Sequence, residues 1–540
     1  MKELTENRAR KRGTGERGEA VSEALKSLLI FLLAVIMLVL MMLLMLGQGR
    51  DGAEDALPYE ERMIVYEDPA DAASAKAMET DRVVPSVIAW HADDAYLHCL
   101  FADTGEREEA YAALFPILRA LFGGGCRCTL LSGETGQAFW TESRKVMSVY
   151  LRYPGTLPAS VIGAYLRGSG ETEDTGGMSD VPIPGDAVYI RELFLLRDPE
   201  NRTELCAAAR DDRGNVSVFR RDPSDSADTD AENLHTAVLS AYIETVENGC
   251  RYTEAVFCAE TEETETDPSA ALTLLRDFKS GGDTALRMKT LLTVPDADAV
   301  YPDAGTLLYG ADGDEDGEKT LSALLTVFGM KGSASSYYRD ASDARVYLDT
   351  EGSLTVGTDG TLFYTALQMG GLPLSEFLGY ASVTDTYTLT EALCAADRLL
   401  GRLAELHPAY SGGDAELRLV SVDGTDSGIR LVYDCLAAGL PIADDAGNIP
   451  HFCTVTIRGG RVTEFRLRPF LLRLGDPEHA QPLLPQSVVL AAIAAERKDD
   501  GTATPLSGTL PLLYRVSADS GRGAAEWVFR AAEKEGTVGA

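Results

Sequence analysis

An unbroken apolar segment near the N-terminus is the strongest constraint on what this chain can fold into. Residues 28–46 read LLIFLLAVIMLVLMMLLML and contain no charge, proline or glycine. As a helix, the segment would span about 28 Å, close to the hydrocarbon thickness of a bilayer. It is longer than the apolar core of a signal peptide, and no Ala-x-Ala cleavage pattern follows it in residues 47–50. We therefore predict an uncleaved transmembrane helix over residues 27–48.

The flanks of this segment predict its orientation. Residues 1–26 hold seven Lys or Arg and five Asp or Glu, whereas acidic residues dominate directly after the segment. Because positive charge is retained in the cytoplasm, we predict a single-pass protein of the cell membrane with a cytoplasmic N-terminus and an extracytoplasmic bulk. The segment either faces lipid or packs on the membrane helices of a partner, and three of its methionines recur at a spacing of four. The predicted anchor residues are Leu28, Met37, Met41, Met45 and Leu46.

The charge of the chain excludes one class of partner. The formal net charge is −35. The N-terminal tail contributes two positive charges, so the remainder carries about −37. Such a surface repels phosphate backbones and anionic lipids, so the chain is not expected to bind nucleic acid. The charge suits either a soluble region in a cation-rich exterior or a partner with a basic patch.

Composition and turn signals divide the chain into six predicted segments. Hydrophobic periods switch repeatedly between helical and strand spacing, which is typical of antiparallel sheets packed with helices. The predicted fold class is therefore α+β, with one N-terminal transmembrane helix followed by a multi-domain extracytoplasmic region. The segments are a cytoplasmic basic tail (1–26), the transmembrane helix (27–48), an acidic stalk (49–84), an N-terminal α+β domain (85–258), a middle α+β domain with a β-meander (259–386) and a C-terminal α+β domain (387–540).

Four local patterns support this division. FCTVTIRGGRVTEFRLRP alternates apolar and polar residues on both sides of Gly459-Gly460, which predicts a hairpin. RVYLDTEGSLTVGTDGTLFYTAL predicts a three-stranded meander with turns at Glu351-Gly352 and Asp359-Gly360. Leucine and alanine recur at helical spacing over 389–403, which predicts an amphipathic helix. KVMSVYLRYPGTLPASVIGAYLRG predicts a strand, a turn at Pro154-Gly155 and a helix.

The common motifs of catalysis do not occur in the sequence. It contains no GxxxxGK[ST], HExxH, GxSxG or Ser-x-x-Lys pattern, so we predict a non-enzymatic protein without a cofactor. One weak metal candidate remains. Asp312, Asp314 and Asp316, followed by Gly317, match the first half of a calcium loop, but Ala323 occupies a position where that loop needs a glutamate. A polar loop that precedes a helix is the simpler interpretation.

The layout of the chain resembles the YycH and YycI proteins, membrane-anchored regulators of the WalK/WalR (YycG/YycF) two-component system of Gram-positive bacteria. VYLRYPGTLP with the strand-rich block 187–220 resembles the first YycH domain, and LTVGTDGTLFYTAL resembles its middle meander. GIRLVYDCLAAGLPI, the Gly459-Gly460 hairpin and the closing LLYRV and EWVF segments resemble the last domain that YycH and YycI share. The family supplies no catalytic residues to carry over.

The resemblance implies a regulator of a WalK-like sensor histidine kinase that controls cell-wall metabolism through contacts in the membrane and outside the cell. A second protein of the YycH/YycI type is a further implied partner. Two alternatives remain open. One is an extracytoplasmic module that senses calcium or a small ligand without a kinase, and the other is a wall-active enzyme with an unfamiliar site.

Overall fold

The computed structural model describes residues between Thr80 and Ala531, with gaps of which the longest cover 92–103, 169–187, 222–292 and 490–507. Residues 64–540 belong to one compact unit. Within the described ranges, no helix is both long enough and apolar enough to cross a membrane. The helix predicted over 27–48 lies outside the described residues, together with its anchor residues Leu28, Met37, Met41, Met45 and Leu46.

The protein is mixed α+β, with a large sheet and few helices, as its sequence predicts. The N-terminal part begins with a 3-10 helix at Thr80–Val83. It continues with β1 (Val87–His91), α1 (Thr104–Phe122), β2 (Cys126–Leu131), α2 (Gly133–Ser143), β3 (Ser148–Pro158), α3 (Ala159–Gly168), β4 (Tyr189–Arg197), β5 (Leu205–Arg210) and β6 (Val216–Arg221).

The described residues of the middle part form short strands and two helices. These are β7 (Thr293–Val294), β8 (Ala297–Val300), α4 (Asp316–Val327), β9 (Tyr338–Arg339), β10 (Arg345–Leu348), β11 (Gly352–Val356), β12 (Leu362–Ala366), β13 (Leu372–Pro373) and α5 (Leu374–Leu378). Strands β10, β11 and β12 pair antiparallel in sequence order, so the predicted meander is confirmed.

The described residues of the C-terminal part open with a long helix and otherwise form mostly strands. Its elements are α6 (Leu389–Leu406), a 3-10 helix (Pro408–Tyr410), β14 (Glu416–Thr425), β15 (Gly428–Ala437), β16 (Leu440–Ala443), β17 (Cys453–Arg458), β18 (Arg461–Leu467), β19 (Leu471–Leu474), β20 (Gln481–Pro482), β21 (Gly508–Thr509), β22 (Leu512–Val516), β23 (Arg522–Trp527) and β24 (Arg530–Ala531). The predicted hairpin is β17 and β18, and Gly459 and Gly460 turn it with positive φ angles.

Among the described residues, twenty strands are joined into one hydrogen-bonded sheet. Its main path runs β9-β10-β11-β12-β18-β17-β15-β14-β3-β4-β5-β6-β2. A branch leaves β15 through β16 and continues as β22-β23-β8-β19. Strands from all three predicted outer domains therefore share one sheet. The predicted boundary at 258/259 falls outside the described residues, so the domain division stays a prediction.

Helix α6 covers the inner face of this sheet. Its leucines at 389, 393, 400 and 403 are all nearly inaccessible, because residues three and four apart share one face of a helix. The core that they enter includes Phe328, Tyr364 and Phe465. The ring centroids of Phe328 and Tyr364 lie 5.4 Å apart in a stacked arrangement, and Phe465 meets Phe328 edge-on. This packing buries one face of these strands and leaves their other face available for other contacts.

The turn predicted at Pro154-Gly155 is wrong, because residues 148–158 form the single strand β3. The Pro-Gly pair lies in a β-bulge, because the register of β3 against β4 shifts between Arg152 and Leu157. At this point Thr156 pairs in parallel with Ser421 of β14. A long-range strand contact thus overrides the local turn signal and connects the N-terminal part of the sheet to the C-terminal part.

A buried polar cluster also joins these two parts. Asp397 of α6 is 1% exposed and accepts hydrogen bonds from the hydroxyls of Tyr165 at 3.1 Å and Tyr433 at 3.4 Å. The Arg82 guanidinium lies 3.9 Å from the same carboxylate and donates to the Leu417 carbonyl oxygen. Arg82 belongs to the end of the segment predicted as a stalk. Three separate stretches of chain therefore meet at one buried carboxylate.

Candidate interaction surface

The outer face of the meander carries large apolar side chains that the protein leaves exposed. Tyr338 of β9, Leu348 of β10 and Phe363 of β12 are 52%, 55% and 44% exposed, and Leu367 just beyond β12 is 41% exposed. We call these four residues the meander surface. Monomeric soluble domains rarely leave several such side chains together on one side of a sheet, and those that do mostly use them to bind a partner.

The strand registers place the meander surface on one side of the sheet. Thr355 lies opposite Phe363, and Ser353 lies opposite both Leu348 and Thr365. Directly opposed residues share a face, as do residues two apart in one strand. Small hydroxyl side chains therefore separate Leu348 from Phe363, and the buried Val346, which lies opposite both Tyr338 and Thr355, connects Tyr338 to the same side. The opposite side of the same strands holds the buried aromatic core.

Charged residues border the meander surface. Across the sheet, Arg466 pairs with Phe363 and Glu464 pairs with Thr365. At the free edge, Arg339 and Asp343 form an exposed ion pair of 2.6 Å. An apolar centre with a charged rim is the usual composition of a protein–protein interface. The surface is suited to hold a protein partner.

The structure places only part of the predicted calcium loop. Asp316 is the first residue of α4, whereas Asp312 and Asp314 lie outside the described residues. Across the ranges that are described, no three His, Cys, Asp or Glu side chains come close enough to hold a metal ion. The calcium hypothesis stays a prediction.

Asp434 of β15 forms a partly buried acid–histidine pair with His451, which precedes β17. The Asp434 carboxylate is 3.0 Å from Nδ1 of His451, and the carboxylate is almost inaccessible whereas the imidazole is half exposed. Burial raises the pKa of Asp434, and the hydrogen bond from His451 opposes part of that rise. The buried Arg418 lies opposite Asp434 on β14 and pairs with Glu416 at 2.6 Å. The Asp434 carboxylate is therefore a pH-sensitive element of the fold.

Replacing Asp434 with Asn is expected to stabilise the protein relative to the wild type increasingly as the pH rises above 3.8, the ordinary pKa of the carboxyl. A carboxyl with a raised folded pKa contributes stability below its unfolded pKa, and that contribution is lost as the pH rises through the folded pKa. Asn imitates the protonated form and does not titrate. Urea midpoints measured from mildly acidic to neutral pH would show the difference.

The His451→Gln variant is the matched control for this experiment. It removes the hydrogen bond that lowers the Asp434 pKa, so its stability should fall more steeply with pH than that of the wild type. A constant difference between Asp434→Asn and the wild type over this pH range would contradict the expectation.

Sequence reasoning found the strands of the meander but not its exposed surface. A strand with one buried and one solvent-exposed face usually alternates apolar and polar residues. Leu362, Phe363 and Tyr364 are instead apolar in succession. Leu362 and Tyr364 are inaccessible and Phe363 projects to the other side. The missing alternation was the signal for a second apolar face.

No protein family model, no curated protein and no solved structure matches this chain. The likeness to YycH and YycI accordingly stays a prediction.

Proposed function

We propose that the chain is a non-enzymatic, single-pass membrane regulator of a sensor histidine kinase that controls cell-wall metabolism. The regulator acts through protein–protein contacts in the membrane and outside the cell. The apolar segment 28–46 holds it in the membrane, and the resemblance to YycH and YycI supplies the class of partner.

The meander surface is the observation that carries the proposal. Its four side chains are exposed on the side of the sheet that faces away from α6 and the aromatic core. Burial of such side chains supplies most of the free energy in a typical protein complex. The surface is therefore the proposed contact site for the extracytoplasmic part of the kinase.

Deletion of the gene tests the proposal directly. We expect a change in the phosphorylation of the kinase and its response regulator, and a change in the transcripts of wall hydrolases. If neither quantity changes in the deletion strain, the regulator proposal is wrong. Co-purification of the intact chain with the kinase from detergent-solubilised membranes gives the corresponding physical test.

Replacing both Leu348 and Phe363 with Ser is expected to weaken kinase binding roughly tenfold or more, because central apolar contacts dominate interface energies. Both side chains are about half exposed, so the stability of the protein should change by no more than about 1 kcal/mol for the two substitutions together. Binding is measured by titrating the solubilised kinase against the full-length variant.

The Leu130→Ser variant is the matched control for the meander surface. Leu130 is 65% exposed on β2, at the far end of the main sheet path. Its side chain is at least as exposed as those of the meander surface. Its replacement therefore tests whether the loss of any exposed leucine weakens kinase binding. Equal binding by the double variant and by Leu130→Ser would exclude the meander surface as the contact site.

A further inference from the structure

A polar groove lies on the branch of the sheet formed by β19, β8, β23 and β22. It is open to solvent and has a volume of about 730 Å³. Its charged side chains alternate in sign, with three arginines and three carboxylates. They are Asp296, Asp298, Arg473, Arg515, Arg522 and Glu526.

The registers show how these charges are arranged. One row across the sheet has Asp298 between Arg473 of β19 and Arg522 of β23. The next row begins where the Gly475 amide donates to the Asp296 carbonyl oxygen at 2.6 Å. The first row therefore has the Asp298 carboxylate of β8 with a guanidinium group on either side, and the second row has the carboxylate of Asp296, the residue just before β8.

Small residues form the floor of the second row. Continuing the β8–β23 register places Ala524 opposite Asp296, and Ala524 pairs in turn with Arg515 of β22. Gly475 closes the other end of the row. A carboxylate and a guanidinium thus lie two strands apart, about 10 Å, with only a methyl group between them. Three extended residues of a peptide span a similar distance of about 10 Å.

The two ends of the groove differ in charge. Among the described residues, Asp296 and Asp298 form no side-chain hydrogen bond or ion pair, and both are exposed. Their charge raises the pKa of the Tyr514 hydroxyl behind the sheet, in addition to the larger effect of burial. Across the groove, Arg515 lies 3.2 Å from Glu526, and Arg522 is the diagonal neighbour of Arg515 on β23, two residues before Ala524. One end attracts a cation and the other end can receive an anion.

We propose that this groove binds a short zwitterionic peptide, with the peptide ammonium on Asp296 and its terminal carboxylate between Arg515 and Arg522. The peptide crosses the strands over Ala524. Both termini make charge-assisted hydrogen bonds, which are stronger than those between neutral groups. The groove shares no residue with the meander surface, so this proposal does not depend on the kinase proposal.

Binding of trialanine to the full-length chain tests the proposal by equilibrium dialysis. We expect a dissociation constant below about 1 mM for the peptide with free termini. N-acetylation or C-amidation should each weaken binding roughly tenfold, because each removes one charged terminus. No binding at about 10 mM, or equal binding of the doubly capped peptide, would overturn the proposal.

Two variants locate the site. Asp296→Asn should remove the effect of N-acetylation while leaving the effect of C-amidation. Ala524→Leu fills the floor without changing charge and should weaken binding roughly tenfold by exclusion of the peptide backbone. Glu405→Gln on the exposed side of α6 is the charge control and should bind as the wild type does. If Glu405→Gln weakens binding as much as Asp296→Asn, the site lies elsewhere. Kinase phosphorylation is measured separately, so failure here is distinguishable from failure of the regulator proposal.

Discussion

Asp397→Ala is expected to lower the free energy of unfolding by about 3–5 kcal/mol, the cost typical of removing one partner from a buried ion pair. The substitution removes the carboxylate that faces the Arg82 guanidinium, and that guanidinium stays in a site that is only 8% exposed. Urea unfolding of the full-length chain, followed by circular dichroism, measures the loss.

The size of this effect follows from the number of groups that meet at Asp397. Besides Arg82, the hydroxyls of Tyr165 and Tyr433 donate to the two oxygens of the carboxylate. The negative charge raises the pKa of both tyrosines, although burial is the larger cause. One substitution therefore leaves a buried cation and two buried hydroxyls with fewer partners.

Variants of the neighbours separate these contributions. Tyr165→Phe keeps the ion pair and should cost only about 1 kcal/mol, the value of one hydrogen bond. The double variant Arg82→Met with Asp397→Leu removes both charges together, so it should recover most of the loss caused by Asp397→Ala. A loss below about 1 kcal/mol for Asp397→Ala, or no recovery in the double variant, would contradict a role for this carboxylate in joining the two parts.

The parts of the fold that sequence reasoning predicted are those in which neighbouring stretches of chain pair with each other. The hairpin of β17 and β18 and the meander of β10 to β12 have short connections, and their glycine turns and alternating side chains are visible locally. Helix α6 was visible through the spacing of its leucines. In each case the local pattern and the tertiary environment agree.

The remaining architecture depends on contacts between distant stretches, which have no local pattern. Strand β8 of the middle part lies between β23 and β19 of the C-terminal part. The sequence of helix α6 does not show whether Asp397 is exposed or buried. Its burial depends on Arg82 and Tyr165, which come from distant parts of the chain. Register and burial at such points are decided by tertiary packing.

The two candidate binding sites were hidden from the sequence for different reasons. The meander surface consists of ordinary strand residues, and only the structure shows that Leu348 and Phe363 share the outer side. The groove combines Arg473 of β19 and Arg522 of β23 with Asp296, which lies just before β8, and no sequence motif indicates that these strands pair. Single charges in an acidic chain carry little information until their neighbours are known.

Gly155→Ala is expected to lower the free energy of unfolding by about 3 kcal/mol, at the upper end of the usual cost of overpacking. A β-carbon at this position would overlap the backbone of Val420, including its carbonyl group. Backbone atoms in a paired strand cannot turn aside as a flexible side chain does, so β3 and β14 must separate. The contact between Thr156 and Ser421, which joins the two halves of the main sheet, lies directly beside this site.

Hydrogen exchange followed by mass spectrometry locates the damage. Peptides from β3 and β14 should exchange faster in Gly155→Ala, whereas peptides from the β17–β18 hairpin should keep more of their protection. Gly133→Ala is the matched control, because a β-carbon there meets no atom within 4 Å, and Ala in place of Gly in a helix stabilises by up to about 1 kcal/mol. If Gly155→Ala is as stable as Gly133→Ala, β3 does not approach β14 closely, and the two halves of the sheet are not joined at this point.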